Sequence, residues 1–271
     1  MRSSNMVLGG LASGTAQRAT TAPYGAPGQQ QGYGYPTPGG YAPPTADRMT
    51  VDDVVVRTIG LLALTGITAA LAWLFLPPAV QAVALLASVF VGLGLVLAIS
   101  FMRITNPLVI GAYAVTQGVL VGVVSSMYET LFAGIVLQAV VGTFGVFALM
   151  AVLYKSRVIR ATPFFRKAVL GALLGAMALI LVNLGLSLFG VDAGLFNNPA
   201  DGQGASWLQW VIALALVVIA ALSFILDFDM VEQMVQSGAE RKYAWTAAFG
   251  LLVGLVFLYL QLLRLISMFR E

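Results

Sequence analysis

The chain has 271 residues, of which 59% are hydrophobic and 9% charged, against roughly 25% charged in soluble domains, and its fourteen Lys and Arg outweigh eleven Asp and Glu to give +3. That composition describes an all-α membrane protein whose sparse basic residues set topology and do not bind nucleic acid. With no cysteine and no histidine, disulfides, thiolate and imidazole metal sites, and cysteine or imidazole catalysis are all excluded.

From Met1 to about Arg48 the chain is rich in Gly, Pro, Gln, Ala and Tyr and has no apolar period. Such a segment buries too little surface to offset its ordering entropy, so residues 1–49 are expected to form a disordered cytoplasmic tail and 50–271 a transmembrane domain. The apolar patch from Met6 to Leu11 is too short for a secretory leader, which leaves the first span as the insertion signal.

Crossing ~30 Å of hydrocarbon takes about 20 apolar helical residues, and windows of that length predict a bundle of seven transmembrane helices. The first runs from about Arg57 to Leu76 and stops at Pro77-Pro78. Thr50, Asp52 and Asp53 read as the cap and first-turn acids of this helix or of an amphipathic one before it. The second runs from about Ala79 to Phe101, followed by Arg103. Asn106-Pro107 reads as a cap with proline at the first helical position, opening a third helix to about Met127 that Glu129 closes. The fourth, about Leu131 to Tyr154, leads into the most basic connection of the chain, with Lys155, Arg157, Arg160, Arg166 and Lys167. The fifth covers about Ala168 to Gly190. Val191 to Ser206 is polar, has no basic residue, and reads as an exposed turn region. Trp207 and Trp210 begin the sixth span as interfacial aromatics. Ser237-Gly238 ends it, Glu240-Arg241-Lys242 makes a charged loop, and the seventh span, about Tyr243 to Met268, closes the chain. With the tail inside, all Lys and Arg except Arg264 and Arg270 fall on the cytoplasmic side, as short cytoplasmic loops require. An odd number of full spans then puts the C-terminus outside.

The sixth span ends in the run Asp227-Phe228-Asp229-Met230-Val231-Glu232. A carboxylate at the bilayer centre costs about 2.5 to 3.5 kcal/mol, so acids set against a span are functional candidates, though the cost falls at the interface. Residues two apart on a helix point about 200° away from each other, so Asp227 and Asp229 do not share a cavity unless the helix unwinds. Asp229 and Glu232 share a face. Cation binding, proton sensing and structural pairing all remain open for this run, with Asp229 as the leading ion- or proton-sensing residue and an oxygen donor toward calcium. Pairing of Asp229 to Arg103 or to an arginine of the connection after the fourth span is the bland alternative, and Asp227 and Glu232 read first as solvated helix-end charges.

Within the spans, Gly118 with Gly122, Gly171 with Gly175, and Gly250 with Gly254 sit at the spacing that lets helix backbones approach closely. The scarce intramembrane polar side chains include Gln117, Asn183 and Gln261, which either bond across to neighbouring helices or line a pore. Enzyme chemistry has little to work with. There is no histidine for a Ser-His pair, no second mid-membrane acid for an aspartyl dyad, and no phosphate-cradling or dinucleotide loop; the chain is expected not to be an enzyme and to need no cofactor.

Seven spans, the Asn106-Pro107 opening of the third helix, Phe228-Asp229 followed by Glu232-Gln233, and the closing Leu260-Gln261-Leu262-Leu263-Arg264 together resemble the Bax inhibitor-1 family, also called the transmembrane Bax inhibitor motif or YccA-like family. The likeness covers about Thr50 to Arg270, and the front end looks like an actinobacterial-type branch. The resemblance implies a pH-sensitive calcium leak channel of a bacterial cell membrane, in which an aspartate ending the sixth helix interacts with one in the seventh and with an arginine of the second. Asp229 matches the first aspartate and Arg103 is a looser match to the arginine. The sequence departs from the pattern at the second aspartate, whose expected position falls near Gly254. No carboxylate occurs between Tyr243 and Arg270, and Gln117 stands where relatives can carry glutamate. A two-aspartate latch is therefore unavailable, which leaves a single acid paired with arginine as the gate. A rival reading is a non-transporting regulator that binds a membrane protease or other membrane partner through the tail and cytoplasmic loops.

Overall fold

In a computed structural model, the described residues, 48–191, 196 and 205–270, form seven α-helices. They are α1 (Val51–Phe75), α2 (Pro78–Met102), α3 (Pro107–Leu131), α4 (Ile135–Lys155), α5 (Pro163–Leu188), α6 (Trp207–Gln236) and α7 (Tyr243–Met268), each long and apolar enough to cross a membrane. The tail expected over 1–49 and the polar turn region before α6 lie largely outside the described residues. The last two residues of the expected tail are described, and they belong to the bundle. Met49 is buried and donates its N–H to the carbonyl of Ala239 at 2.8 Å, where the backbones of Arg48 and Glu240 make an isolated antiparallel β-bridge.

Local chemistry places the helix starts. Thr50 and Asp53 form a capping box, with Asp53 N–H donating to Thr50 Oγ1 at 3.2 Å, so α1 begins at Val51 and takes in Asp52, Asp53 and Arg57. Asn106 Oδ1 accepts from the Leu108 N–H at 2.9 Å ahead of Pro107. Thr162 Oγ1 accepts from the Phe165 N–H at 3.2 Å ahead of Pro163. This second Thr/Asn-Pro start lies before Ala168, where hydropathy alone begins the fifth helix, because the first turn is basic and the cap is polar. Arg166 and Lys167 consequently ride on α5 and are not loop residues. Glu129 is likewise inside α3, and its carboxylate reaches forward to accept the N–H groups of Gly134 and Val136, at 2.5 and 3.1 Å. It supplies the cap that Gly134 has no side chain to give.

The helix α7 is the axis of the bundle. Two-thirds (67%) of its central window is enclosed, against 11% for α5. It packs against α1, α3, α4 and α6, whereas α2 rests on α3 and α5 on α6. The tightest pairing is α1 with α3. A Cβ built on Gly118 would stand 2.6 Å from the carbonyl oxygen of Thr65, and one on Gly122 would run into the backbone of Ala69. Gly171 and Gly175 have no such neighbour: nothing among the described residues lies within 4 Å of either Cβ position. The same spacing is thus a helix contact on α3 and bare helix surface on α5.

Substituting Gly122→Val should therefore lower stability by about 1–3 kcal/mol, the usual cost of overpacking, read by thermal unfolding in detergent. Gly171→Ala should leave it unchanged or raise it by up to about 1 kcal/mol through helix propensity.

Candidate functional site

The acid run lies at the end of the bundle that also holds the starts of α1, α5 and α7 and the end of α4. Because α6 stays helical to Gln236 and stops at Ser237, with Gly238 at φ +68°, its three acids step around the helix and each meets a different neighbour. Asp227 turns to α7, Asp229 to α5 and Glu232 to α4.

Asp229 Oδ2 accepts from Arg166 Nη2 at 2.5 Å and from Gln233 Nε2 at 2.6 Å. The expected partner Arg103 is not the one used. It ends α2 in the left-handed region at φ 50°, exposed, on a helix that packs against α3. The arginine comes from the basic connection instead, delivered by the Thr162-Pro163 start of α5. With this oxygen held by a guanidinium, Asp229 is a salt-bridge acceptor. Among the described residues no three acids converge into a group able to hold a metal ion, as a hard cation with several oxygen ligands would require.

Glu232, exposed on the next turn, accepts from the Tyr154 hydroxyl of α4 and from Gln236 Nε2 at 3.0 Å. Phe228 lies between these two polar links. Its ring centroid is 5.5 Å from Phe147 and 5.8 Å from Tyr154, and the fully buried Phe224 stands edge-on to Phe147 at 5.1 Å. Phe224 and Phe228, four residues apart on one face, are what wedge the end of α6 against α4.

Asp227, which reads from the sequence as a solvated helix-end charge, is the acid turned into the bundle. A Cβ on Gly254 would stand 3.4 Å from Asp227 Oδ2 and 3.0 Å from the Phe224 ring, and one on Gly250 would stand 3.7 Å from Asp227 Oδ1. The carboxylate therefore rests on the glycine face of α7, half-buried. Among the described residues it has no hydrogen bond or ion pair. The glycine pair read as helix packing is here the floor under a carboxylate, and it includes Gly254, where the family pattern expects the second aspartate.

A second cluster ties this end together. Arg241 Nε donates to Asp53 Oδ1 at 2.8 Å, Arg57 Nη1 donates to the Arg241 carbonyl at 2.5 Å, and the Arg57 guanidinium lies 5.1 Å from the centre of the Trp245 ring. These contacts fasten the α6–α7 turn to α1, and no local sequence signal pairs residues so far apart. Gln117, Asn183 and Gln261 do not assemble into one path. Gln117 fills the space opposite Gly92 of α2, Asn183 is half-buried on the peripheral α5, and Gln261 is buried on α7 toward the opposite end, its Oε1 lacking a hydrogen-bond partner among the described residues. Near that end Ser125 and Tyr259 share a buried 2.7 Å hydrogen bond, and the buried Arg264 stacks on Phe196, 4.3 Å from the ring centre. A cavity of about 310 Å³ between α1, α3, α4 and α7 reaches Ser125 and Tyr259, but its wall is otherwise nearly all apolar.

The family model described as Bax inhibitor 1 like matches residues 11–271. The chain belongs to that family. No curated protein matches it. Within the Bax inhibitor 1 like chain, then, the acid at the end of the sixth helix that faces the seventh is Asp227, and glycine stands opposite it.

Replacing Gly254 with aspartate would set two carboxylates side by side, which repel when both are ionised and share a proton when one is not. Gly254→Asp should therefore be less stable than the native chain at pH 8 and recover as the pH falls toward 5, read by thermal unfolding at each pH. A Gly254→Asn control should lack that recovery.

Proposed function

We propose that the chain lets cations, calcium in particular, leak across a bacterial cell membrane, and that the acids ending α6 govern the leak. The observation that carries this reading is the carboxylate of Asp227 on the bare glycine face of α7, with no counter-charge beside it among the described residues. An interior carboxylate of this kind attracts a cation into a region that otherwise repels charge. It also moves the central role two residues inward from Asp229.

Asp229 then acts as the latch. Its pair with Arg166 joins α6 to the peripheral α5, and the two side chains are 19% and 45% exposed. An ion pair so open to water is worth about 0.2–1 kcal/mol, weak enough for one proton to undo. The groups around it are Arg166 from α5, Gln233 on α6, and Tyr154, which feels the charge of both Asp229 and Arg157. Protonating Asp229 removes its charge and releases Arg166, which shifts a closed state toward an open one as pH falls. The two aspartates form no dyad, and the reading is of a protein that is not an enzyme. With the basic residues crowded at this end, it faces the cytoplasm and the chain enters the membrane with its N-terminal side inside.

Calcium-loaded proteoliposomes test both roles. The native chain should release calcium faster as external pH falls on the side of the acid run. Asp229→Asn should release it fast at every pH, and Asp227→Asn should release it slowly at every pH. Release no faster than from empty vesicles would sink the leak and favour a non-transporting regulator of a membrane partner.

A further inference from the structure

Between Lys155 and Lys167 the chain carries Lys155, Arg157, Arg160, Arg166 and Lys167 and no acid. This connection is not a slack loop. Ile159, Ala161 and Phe165 pack against the main core, the Val158 N–H donates to the Leu153 carbonyl at 3.1 Å, and Arg157 adopts φ 56° to turn the chain. Pinning those apolar residues inward leaves the basic side chains outward, together with Val158 and Phe164, which are 70% and 82% exposed. Among the described residues Arg166 alone of the five has an ion pair.

Exposed apolar side chains interleaved with arginines at the end of membrane spans have the chemistry of the headgroup boundary. The apolar groups enter the acyl edge while the guanidinium groups meet phosphates, which they bind in bidentate fashion. Basic groups so placed favour acidic lipids, whose headgroups keep a net negative charge, over zwitterionic ones. We propose that the α4–α5 connection docks acidic phospholipid headgroups, and that a docked headgroup competes with Asp229 for Arg166. The docking stands apart from the leak. Only its consequence rests on that reading, since a headgroup holding Arg166 opens the same latch that a proton opens.

The test is made on the full chain in uncharged detergent, with affinity taken from the rise in unfolding temperature on titration with dioleoylphosphatidylglycerol or dioleoylphosphatidylcholine. Phosphatidylglycerol should stabilise the chain, and phosphatidylcholine and inorganic phosphate should not. The variant Lys155→Gln/Arg157→Gln/Arg160→Gln should bind phosphatidylglycerol about a hundredfold more weakly. Asp229→Asn, by freeing Arg166, should bind it up to about fivefold more tightly. Should the triple variant fail to fold, high salt added to the native chain should abolish the phosphatidylglycerol effect in its place. An equal response to phosphatidylcholine or inorganic phosphate, or an affinity that neither the triple variant nor salt weakens, overturns the docking. Unchanged affinity in Asp229→Asn overturns the competition. None of these readings involves flux, so a failed leak and a failed docking are told apart.

Discussion

The step of about 100° per residue in an α-helix is the constraint on which this site depends. Asp227, Asp229 and Glu232 are close in sequence, and a helix that persists to Gln236 cannot aim them at one point. It sends one to the glycines of α7, one to Arg166 of α5 and one to Tyr154 of α4. The end of α6 is therefore a hub, and each of the helices it meets is held by a different kind of contact. Toward α7 the contact is a carboxylate on bare backbone, toward α5 an ion pair in water, and toward α4 a hydroxyl donor backed by stacked aromatic rings.

These contacts differ in how easily they are broken. The rings of Phe147 and Phe228 pack with the fully buried Phe224 and hold α4 and α6 together. The Arg166–Asp229 pair is exposed and weak by comparison, and among the described residues it is the ion pair that α5 makes, a helix whose packing is with α6. A switch needs one element held loosely enough to move beside others that stay put. The α5 helix is held in that loose way, while α7, packed against α1, α3, α4 and α6, is the most enclosed helix of the bundle.

Glycine spacing shows how little a motif says without its surroundings. On α3, Gly118 and Gly122 admit the backbone of α1, so close that a side chain has no room. On α7, Gly250 and Gly254 admit a carboxylate and a ring. On α5, Gly171 and Gly175 face nothing within 4 Å among the described residues. Close approach is one use of a small residue in a membrane helix, and making space for a charged side chain is another.

Much of this architecture is already present in the amino-acid order. Composition and run length demand seven apolar helices, and short polar signals mark their ends: Thr50 with Asp53, Asn106-Pro107, Ser237-Gly238. Family membership follows from the same residues, and the match over 11–271 agrees. Helical geometry also separates Asp227 from Asp229 before any coordinates are known. What stays hidden is which neighbour each acid meets. In a membrane helix the lipid-facing side is as apolar as the core-facing side, so periodicity does not say which face turns inward or that α7 is central. Arg103 and Arg166 are equally basic residues beside spans, and only the packing of α2 on α3 and of α5 on α6 decides that Arg166 reaches Asp229. For the same reason Asp227 reads as a solvated charge until α7 is laid beside it. Local sequence determines which segments cross the membrane and where they stop, because those choices depend on hydrocarbon thickness and backbone hydrogen bonds alone. The tertiary structure decides which carboxylate faces glycine and which faces arginine, because that depends on the order in which the helices pack around α7.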